Sequence, residues 1–264
     1  GMDDVPPMGR HRQPHAHFLP TRLHRRLPHR LGKSHRPAAR PAHQQLRLHP
    51  RVQRLGQVSK PSLMEITTEP LLILCGGFSR RMGSPKPLLP FRGVPLIERL
   101  AAAANRPLWI ASAGQRFPYL PPALYLPDAL PERQGALSAI LPALELAAEQ
   151  GHAGIYVLSC DTLLLPEQVA GCLQQARNSA AWQQGVAALS GGGRDYPLLA
   201  HWSAALAAPL RQYVESGQRR VTAWLQTVPF ATVPLPDEWL PLCNFNTPPE
   251  FERAVAQAER LLAG

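Results

Sequence analysis

The chain has 264 residues, of which 45% are hydrophobic, so it can bury the core of one large domain or two small ones. Its formal net charge of +10 would suggest a nucleic-acid or membrane partner if it were evenly spread. Residues 1–60 hold 13 Lys and Arg against 2 Asp and Glu, which leaves 15 basic and 16 acidic residues for 61–264. The body of the chain is therefore close to neutral, and we expect it to bind neither nucleic acid nor membrane.

Residues 1–62 form a basic leader that carries eight of the ten histidines, many prolines and almost no periodic apolar positions. Such a segment has no core to pack, so we expect it to be disordered. Its Arg, Pro, His, Ala and Leu content also fits an out-of-frame translation of GC-rich DNA, because "MEITTEPLLIL" from Met64 reads as an ordinary protein start. No window resembles a secretory signal or reaches the roughly 18 apolar residues of a membrane span, which favours a soluble, cytoplasmic protein.

Short apolar runs alternate with longer amphipathic runs from residue 69 to residue 264. The run "PLLILC" predicts the first strand at 70–75, and a helix opened by Pro95 is predicted at 94–104. Further strands are predicted at 107–112, 123–127, 154–160, 185–190, 196–202 and 227–233. Further helices are predicted at 136–150, 166–177, 203–216, 220–226 and 248–262. This alternation predicts one α/β domain at 69–264, with three layers and a mostly parallel sheet covered by helices on both faces.

The segment "GGFSRRMGSPK", residues 76–86, follows the first predicted strand. Gly76 and Gly77 let the backbone approach a ligand closely, so that successive N–H groups can converge on an anion. Arg80, Arg81 and Lys86 add positive charge suited to phosphate oxygens. A glycine pair alone is equally an ordinary turn, and an arginine pair alone is equally a solvated face. Neither the P-loop pattern nor the G-x-G-x-x-G fingerprint is present.

Two aspartates also follow predicted strands, where ligands bind in sheets of this kind. Asp161 comes directly after the strand at 154–160, and its hard oxygens suit Mg²⁺, but it is as often a helix cap in such a place. Asp128 follows Pro127 and is by itself a turn residue. The four cysteines (Cys75, Cys160, Cys172 and Cys243) form no CxxC pair, so neither a disulfide framework nor a structural zinc site is expected.

Taken in order, six segments resemble one family. "LCGGFSRRMGSPKPLL" resembles the signature L-A-G-G-x-S-x-R-M-G-x-D-K-x-L-L of nucleotidyltransferases that activate small molecules, and among these it is most similar to the molybdenum cofactor guanylyltransferases, which are MobA-like. The other five segments are "DALPERQGALSAI", "VLSCDTLLLP", "GGRDYPLLAHW", "SGQRRVTAWL" and "CNFNTPPEF". The resemblance runs from about residue 70 to residue 262 and implies a Rossmann-like nucleotidyltransferase fold.

The resemblance implies transfer of a guanylyl group from GTP to the phosphate of molybdenum-bound molybdopterin, with release of pyrophosphate. It places Arg81, Lys86 and Asp161 in catalysis, with Asp161 holding Mg²⁺ as the metal ligand. It places the nucleotide against Leu74, Cys75, Gly76, Gly77, Lys86, Asp128, Gly135 and Asp161. It places the second substrate near Arg219, Arg220, Asn244 and Asn246. Molybdoenzymes or their chaperones are implied as partners in cofactor delivery.

Two departures from the family pattern leave alternatives open. Pro85 stands where the family has an aspartate before the lysine, which removes any salt link that would order Lys86 through that carboxylate. Ala111, Ser112 and Ala113 stand where the family commonly has an asparagine. A cytidylyltransferase, another small-molecule nucleotidyltransferase, and a degenerate nucleotide-binding partner in cofactor delivery therefore remain alternatives to the guanylyltransferase.

The break in charge and composition near Met64 predicts that the leader is dispensable. Deleting residues 1–62 should leave the melting temperature and the catalytic activity unchanged, because the leader contributes no packed surface. Thermal melts and activity assays of the full and shortened chains test this, and a large loss of either property in the shortened chain contradicts it.

Overall fold

The computed structural model describes residues 68–76, 82–131 and 135–263, and the expected leader at 1–62 lies outside these ranges. In chain order the strands are β1 (Leu71–Leu74), β2 (Pro90–Phe91), β3 (Val94–Pro95), β4 (Leu108–Ala111), β5 (Leu124–Leu126), β6 (Gly154–Ser159), β7 (Val186–Gly191), β8 (Arg194–Ser203) and β9 (Phe230–Pro234). The α-helices are α1 (Leu96–Ala102), α2 (Ala136–Glu149), α3 (Pro166–Leu173), α4 (Ala180–Gln184), α5 (Ala207–Glu215), α6 (Val221–Leu225) and α7 (Pro248–Ala263). Short 3-10 turns occur at Lys86–Leu88, Gln174–Ala176, Ala204–Leu206 and Asp237–Leu242.

Seven strands form one sheet in the order β5-β4-β1-β6-β8-β7-β9. Strand β8 runs antiparallel to both of its neighbours, and the other four pairings are parallel. The two remaining strands, β2 and β3, pair with each other as a small antiparallel ribbon. The prediction of a mostly parallel sheet is confirmed.

The sheet is covered by helices on both faces, as its central strand shows. Leu71 and Ile73 of β1 face a core built with α1, α3 and α7. Leu72 and Leu74 face the opposite core, built with α2, α5 and α6. None of these four side chains is more than 5% exposed. A run of consecutive apolar residues is what a strand buried on both faces requires, so the predicted three-layer arrangement is confirmed.

Most predicted elements occur within two residues of their expected bounds. The helix predicted at 166–177 ends as an α-helix at Leu173, the helix predicted at 203–216 begins as an α-helix at Ala207, and the strand predicted at 227–233 begins at Phe230. Two further details also differ. Helix α1 begins at Leu96 rather than at residue 94, because Val94 and Pro95 pair with Pro90 and Phe91 in the ribbon. Helix α4, which had not been predicted, is capped by the Ser179 hydroxyl, which accepts a hydrogen bond from the Trp182 N–H. Within the described residues, no helix has both the length and the apolar character that crossing a membrane requires.

Strands β6 and β8 meet around His201, which is fully buried. Its imidazole stacks on the Trp182 ring at a centroid distance of 3.7 Å, and its Nε2 lies 3.1 Å from Glu69 Oε1. Trp202 is also fully buried. Both side chains therefore serve the packing of the core. Gly154, the first residue of β6, packs closely against both residues. A Cβ atom there would lie 2.4 Å from His201 Nε2 and 2.6 Å from the Trp202 carbonyl oxygen.

Gly154→Ala should therefore destabilise the fold by about 1–3 kcal/mol, because the added methyl group meets backbone as well as a stacked ring. Gly171→Ala is the matched control, since a Cβ there meets nothing within 4 Å and the position lies inside α3. Alanine at residue 171 should stabilise the helix by roughly 0.5–1 kcal/mol. Urea denaturation of both variants measures the two effects, and equal stabilities would contradict the packing argument.

Candidate active site

Lys86 and Asp161 form an ion pair at the carboxyl ends of the parallel strands. Asp161 lies two residues beyond the end of β6, and Lys86 opens the 3-10 turn at Lys86–Leu88. Lys86 Nζ donates to Asp161 Oδ2 at 2.8 Å, and the two side chains are only 16% and 11% exposed. Partial burial of both groups strengthens their attraction above that of a surface pair. The pair joins residues that are 75 positions apart in the sequence.

Asn244 and Asn246, from the segment before α7, complete this group. Lys86 Nζ donates to Asn246 Oδ1 at 2.9 Å, and Asn244 Nδ2 donates to Asp161 Oδ2 at 3.3 Å. Asn246 Nδ2 donates to Asn244 Oδ1 at 2.6 Å. The four side chains thus form a closed ring of hydrogen bonds, which we name the lysine cluster. Sequence reasoning assigned Lys86 and Asp161 to the nucleotide and both asparagines to the second substrate, and the structure brings all four together.

Two residues that sequence reasoning missed support the lysine cluster. Ser159, the last residue of β6, donates its hydroxyl proton to Asp161 Oδ1. Glu250 Oε2 accepts the backbone N–H groups of Asn246 and Thr247 at 2.7 Å and 3.0 Å, and these bonds lower the pKa of Glu250. The sequence Thr247-Pro-Pro-Glu250 has the spacing of a helix capping box, a signal that could have identified Glu250. No sequence signal identified Ser159.

A cavity of about 610 Å³ lies beyond the ends of β4 and β5. Its lining includes Ser112 and Ala113 after β4, and Asp128 after β5. Ser112 is buried, and its hydroxyl donates to the Gln115 carbonyl oxygen. Backbone around Asp128 is held by the start of α2, because Ser138 accepts the N–H groups of Ala129 and Leu130. The cavity is large enough for a nucleoside.

A second cavity, of about 230 Å³, borders the lysine cluster. Asp161, Asn244 and Ser159 line it from the cluster side. Its other walls come from the start of β8, with Arg194, Asp195 and Tyr196 among them, and from Val221 at the start of α6. Asp161 and Asn244 therefore place the lysine cluster on the wall of a second cavity, which also carries charged side chains from β8.

Four of the remaining predicted nucleotide residues are described: Leu74, Cys75 and Gly76 lie at the carboxyl end of β1, and Gly135 lies at the start of α2. Leu74 ends β1, and its carbonyl oxygen accepts the Cys160 N–H at 3.0 Å. The Cys75 N–H donates to the Ala111 carbonyl oxygen at 2.8 Å. Gly76 is exposed at the carboxyl edge, whereas Gly77 and Arg81 lie outside the described residues. Gly135 precedes α2 with φ +91°, a backbone conformation that favours glycine.

Arg219 and Arg220, predicted for the second substrate, lie between α5 and α6. The Arg219 guanidinium donates to the carbonyl oxygens of Val214 and Gln218, both at 2.6 Å. Arg220 is exposed and directly precedes α6. These two hydrogen bonds of Arg219 satisfy carbonyl oxygens at and just beyond the end of α5, and they do not involve the lysine cluster.

The oxygen donors at this edge can accommodate a hard cation. In the described part of the chain, no group of three or more His, Cys, Asp or Glu side chains converges as a metal site. Asp161 and Asp195 line the same cavity, however. Mg²⁺ in nucleotide sites is commonly held by one or two carboxylates, with substrate phosphates and waters completing its shell. Asp161 and Asp195 fit that donor set.

Two buried thiols lie beneath the site. Cys75 and Cys160 directly follow β1 and β6, and a hydrogen bond with Cys75, together with burial, raises the pKa of Cys160 well above its usual range. The Cys160 thiol is therefore neutral at physiological pH. Burial likewise raises the pKa of Cys243 to about 12.

Comparisons with known proteins agree with this geometry. A family model described as the MobA-like NTP transferase domain matches residues 71–229. A probable molybdenum cofactor guanylyltransferase from Synechococcus elongatus is 34% identical over 199 residues, covering 69% of this chain and 95% of the relative. The molybdenum cofactor guanylyltransferase of Rhizobium meliloti is 30% identical over 203 residues, covering 72% of this chain and 92% of the relative.

Among solved structures, the crystal structure of molybdopterin-guanine dinucleotide biosynthesis protein A from Archaeoglobus fulgidus has a similar fold. Its TM-score is 0.56 at 18% identity, covering 72% of this chain and 99% of that chain. The likeness extends over nearly the whole of that protein.

The backbone at Ala113, one of three residues that stand where the family commonly has an asparagine, is strained. Ala113 has φ +51°, in the left-handed region that costs an alanine roughly 1–2 kcal/mol and that asparagine adopts more readily. Ala113→Asn should therefore stabilise the fold by up to about 1 kcal/mol. Gly114→Ala, at φ +87°, is the opposite control and should destabilise it. Chemical denaturation measures both, and a destabilised Ala113→Asn variant would contradict the strain argument.

Proposed function

The chain belongs to the MobA-like NTP transferase family, and on that basis we propose that it transfers a guanylyl group from GTP to the phosphate of molybdenum-bound molybdopterin. In this reaction a phosphate oxygen of the pterin attacks the α-phosphorus of GTP, and pyrophosphate leaves. The products are the guanine dinucleotide form of the cofactor and pyrophosphate. The observation that carries the proposal is the lysine cluster, which holds one cation and one carboxylate together at the carboxyl ends of the parallel strands, on the wall of a cavity.

The larger cavity is proposed to hold the guanosine of GTP. Asp128 and Ser112 line it, and Ser112 follows β4, the strand that pairs with β1. Gly76, just after β1, begins the glycine-rich segment at 76–86, which we name the glycine loop. A triphosphate that extends from this cavity toward the loop would meet Lys86. Lys86 is then a point charge for the β- and γ-phosphates, on which negative charge grows as pyrophosphate leaves. Arg81 is proposed to share this task.

The smaller cavity is proposed to hold the phosphate end of the pterin. It lies against Asp161 and Asn244, and Arg194 supplies a cation at its wall. We propose that a nucleophilic phosphate placed there approaches the α-phosphorus from the side opposite the leaving pyrophosphate. Such an arrangement suits in-line displacement, in which the attacking and leaving oxygens lie on opposite sides of the phosphorus. Arg219 and Arg220, near the start of α6, are proposed to meet the outer anionic groups of the pterin.

Asp161 and Asp195 are proposed to hold Mg²⁺. When bound, the ion would neutralise phosphate charge and help to orient the triphosphate. The Asp161 carboxylate is already positioned by protein side chains. Ser159 and Asn244 donate hydrogen bonds to it, and Lys86 balances its charge. We further propose that the protein works in the cytoplasm and passes its product to molybdoenzymes or their chaperones.

The choice of nucleotide and the requirement for metal are tested together. The protein is incubated with molybdenum-bound molybdopterin and each of the four nucleoside triphosphates, with and without Mg²⁺, and pyrophosphate is measured. We expect release with GTP and Mg²⁺. Release with CTP instead would identify a cytidylyltransferase, and absence of release with tight GTP binding would identify a nucleotide-binding partner.

Substitutions in the lysine cluster test its role. Lys86→Met removes the cation, and Asp161→Asn keeps the size of the side chain while removing its charge. Each should lower the rate at least about tenfold, which corresponds to about 1.4 kcal/mol of transition-state stabilisation. In Asp161→Asn, GTP should also lose most of its Mg²⁺-dependent effect on the melting temperature, since a ligand stabilises only through its affinity for the folded state.

Arg211→Met is the matched control for Lys86→Met. It also removes a cation from an ion pair, but Arg211 pairs with Glu145 and Glu215 on an exposed surface of α5 and α2. Its rate should be unchanged, because exposed pairs contribute little. Normal turnover in Lys86→Met, or equal losses in Lys86→Met and Arg211→Met, would refute the catalytic role of the cluster.

A further inference from the structure

Cys75 and Cys160 lie side by side, although 85 positions separate them in the sequence. The parallel register of β1 and β6 pairs Leu74 with Ser159, so the next pair along the strands is Cys75 and Cys160. The Cys160 N–H donates to the Leu74 carbonyl oxygen at 3.0 Å, which continues the ladder to this pair. Both side chains are buried in the same core, the one built with α1, α3 and α7.

This placement satisfies the main geometric condition for a disulfide. Neighbouring strands lie about 4.7–4.9 Å apart, and disulfides join residues whose Cα atoms are about 4.4–6.8 Å apart. Side chains paired across neighbouring strands project to the same face of a sheet, and both cysteines accordingly lie in the same core. A bond between them therefore needs movement of side chains and strand ends, but no rearrangement of the sheet.

We propose that Cys75 and Cys160 form a vicinal dithiol that closes reversibly to a disulfide by exchange with a low-molecular-weight disulfide such as oxidised glutathione, and that closure stops nucleotidyl transfer. The first part rests on strand geometry alone. The second part rests on the proposed function, because it concerns the activity of the same site.

The exchange proceeds in two steps that balance. The thiolate of Cys75 attacks one sulfur of the small disulfide, forming a mixed disulfide and releasing one small thiol. The Cys160 sulfur, after losing its proton to solvent, then attacks the Cys75 sulfur and releases the second small thiol. Overall, two protein thiols are oxidised to one disulfide, and one small disulfide is reduced to two thiols. Both protein sulfurs are buried, at 7% and 4% exposure, so we expect the reaction to be slow.

Closure affects the site because of where the two residues stand. Non-bonded atoms in contact are roughly 3.5–4 Å apart, whereas a disulfide bond is about 2.05 Å long. Closing the bond therefore requires the two sulfurs to approach by more than about 1 Å, a movement shared between side-chain rotation and shifts of the two strand ends. Cys75 directly precedes Gly76 of the glycine loop, and Cys160 directly precedes Asp161 of the lysine cluster. A displacement of about 1 Å in a catalytic group can lower a rate on the order of 100-fold.

The sequence alone could not suggest this pair, because only the pairing of β1 with β6 brings Cys160 beside Cys75. The family signature has alanine at this position, so the dithiol is a departure of this chain from its family. The other two cysteines provide internal controls: Cys172 of α3 is half-buried, and Cys243 is buried beside the second cavity.

The experiment incubates the full chain in glutathione buffers that range from fully reduced to fully oxidised. Non-reducing peptide maps by mass spectrometry then locate each bond, and transferase activity is measured on the same samples. We expect one bond, between the peptides of Cys75 and Cys160, and an activity that falls roughly tenfold or more and returns after reduction. A persistent mixed disulfide on Cys75, or only a bond that involves Cys172, would overturn the proposal.

Variants separate the bond from its consequence. Cys75→Ala and Cys160→Ala are each compared with their own reduced form, and both should keep the same rate in oxidised and reduced buffers. Cys172→Ala should lose activity on oxidation as the parent protein does. A Cys75–Cys160 bond with unchanged activity would overturn the coupling to catalysis. If the reduced protein shows no transferase activity with any nucleotide, the proposed function fails while the peptide map still tests the bond.

Discussion

The central strands are buried on both faces, and this constraint decides where the protein can perform chemistry. Leu71–Leu74 has no side chain more than 5% exposed, so it has no room for polar groups. In the central parallel strands the polar side chains of the site therefore lie at or beyond the strand ends, and Ser112, Asp128 and Asp161 follow β4, β5 and β6 at one edge. Since parallel strands bring their carboxyl ends to the same edge, burial of the sheet concentrates these groups. The location of the site follows from the packing of the core.

The ion pair between Lys86 and Asp161 has a consequence for ligand binding under the proposed function. Both charges are largely removed from water, and each is balanced by the other in the ligand-free protein. The pairing offsets the free-energy cost of burying a single unpaired charge. A triphosphate that draws Lys86 away leaves Asp161 without its counter-charge unless a cation arrives with it. Binding of nucleotide and binding of a divalent cation should therefore depend on each other, each being weaker without its partner.

The sequence predicted the periodic elements well and the contacts between them poorly. The strand at "LLIL" and the helix at 136–150 have lengths and apolar patterns that depend on their own residues, so both occur close to the expected bounds. The β2–β3 ribbon has two residues a strand, too few to show a period. The antiparallel direction of β8 depends on pairing between distant segments. Ser159 is missed for a similar reason, because a serine at a strand end has no motif of its own, whereas its role follows from the position of the Asp161 carboxylate.

Pro85 illustrates how the fold can replace a local interaction. The family pattern places an aspartate there, and its absence suggested that Lys86 would lose a group that orders it. In the structure, Pro85 has φ −61° and ψ 121° and starts the 3-10 turn, with its carbonyl oxygen accepting the Leu88 N–H at 3.0 Å. The turn fixes the backbone of Lys86, and Asp161 and Asn246 then hold its ammonium group. The orientation of Lys86 is thus determined by residues 75 and 160 positions away, which is why a change at the adjacent position leaves the cluster intact.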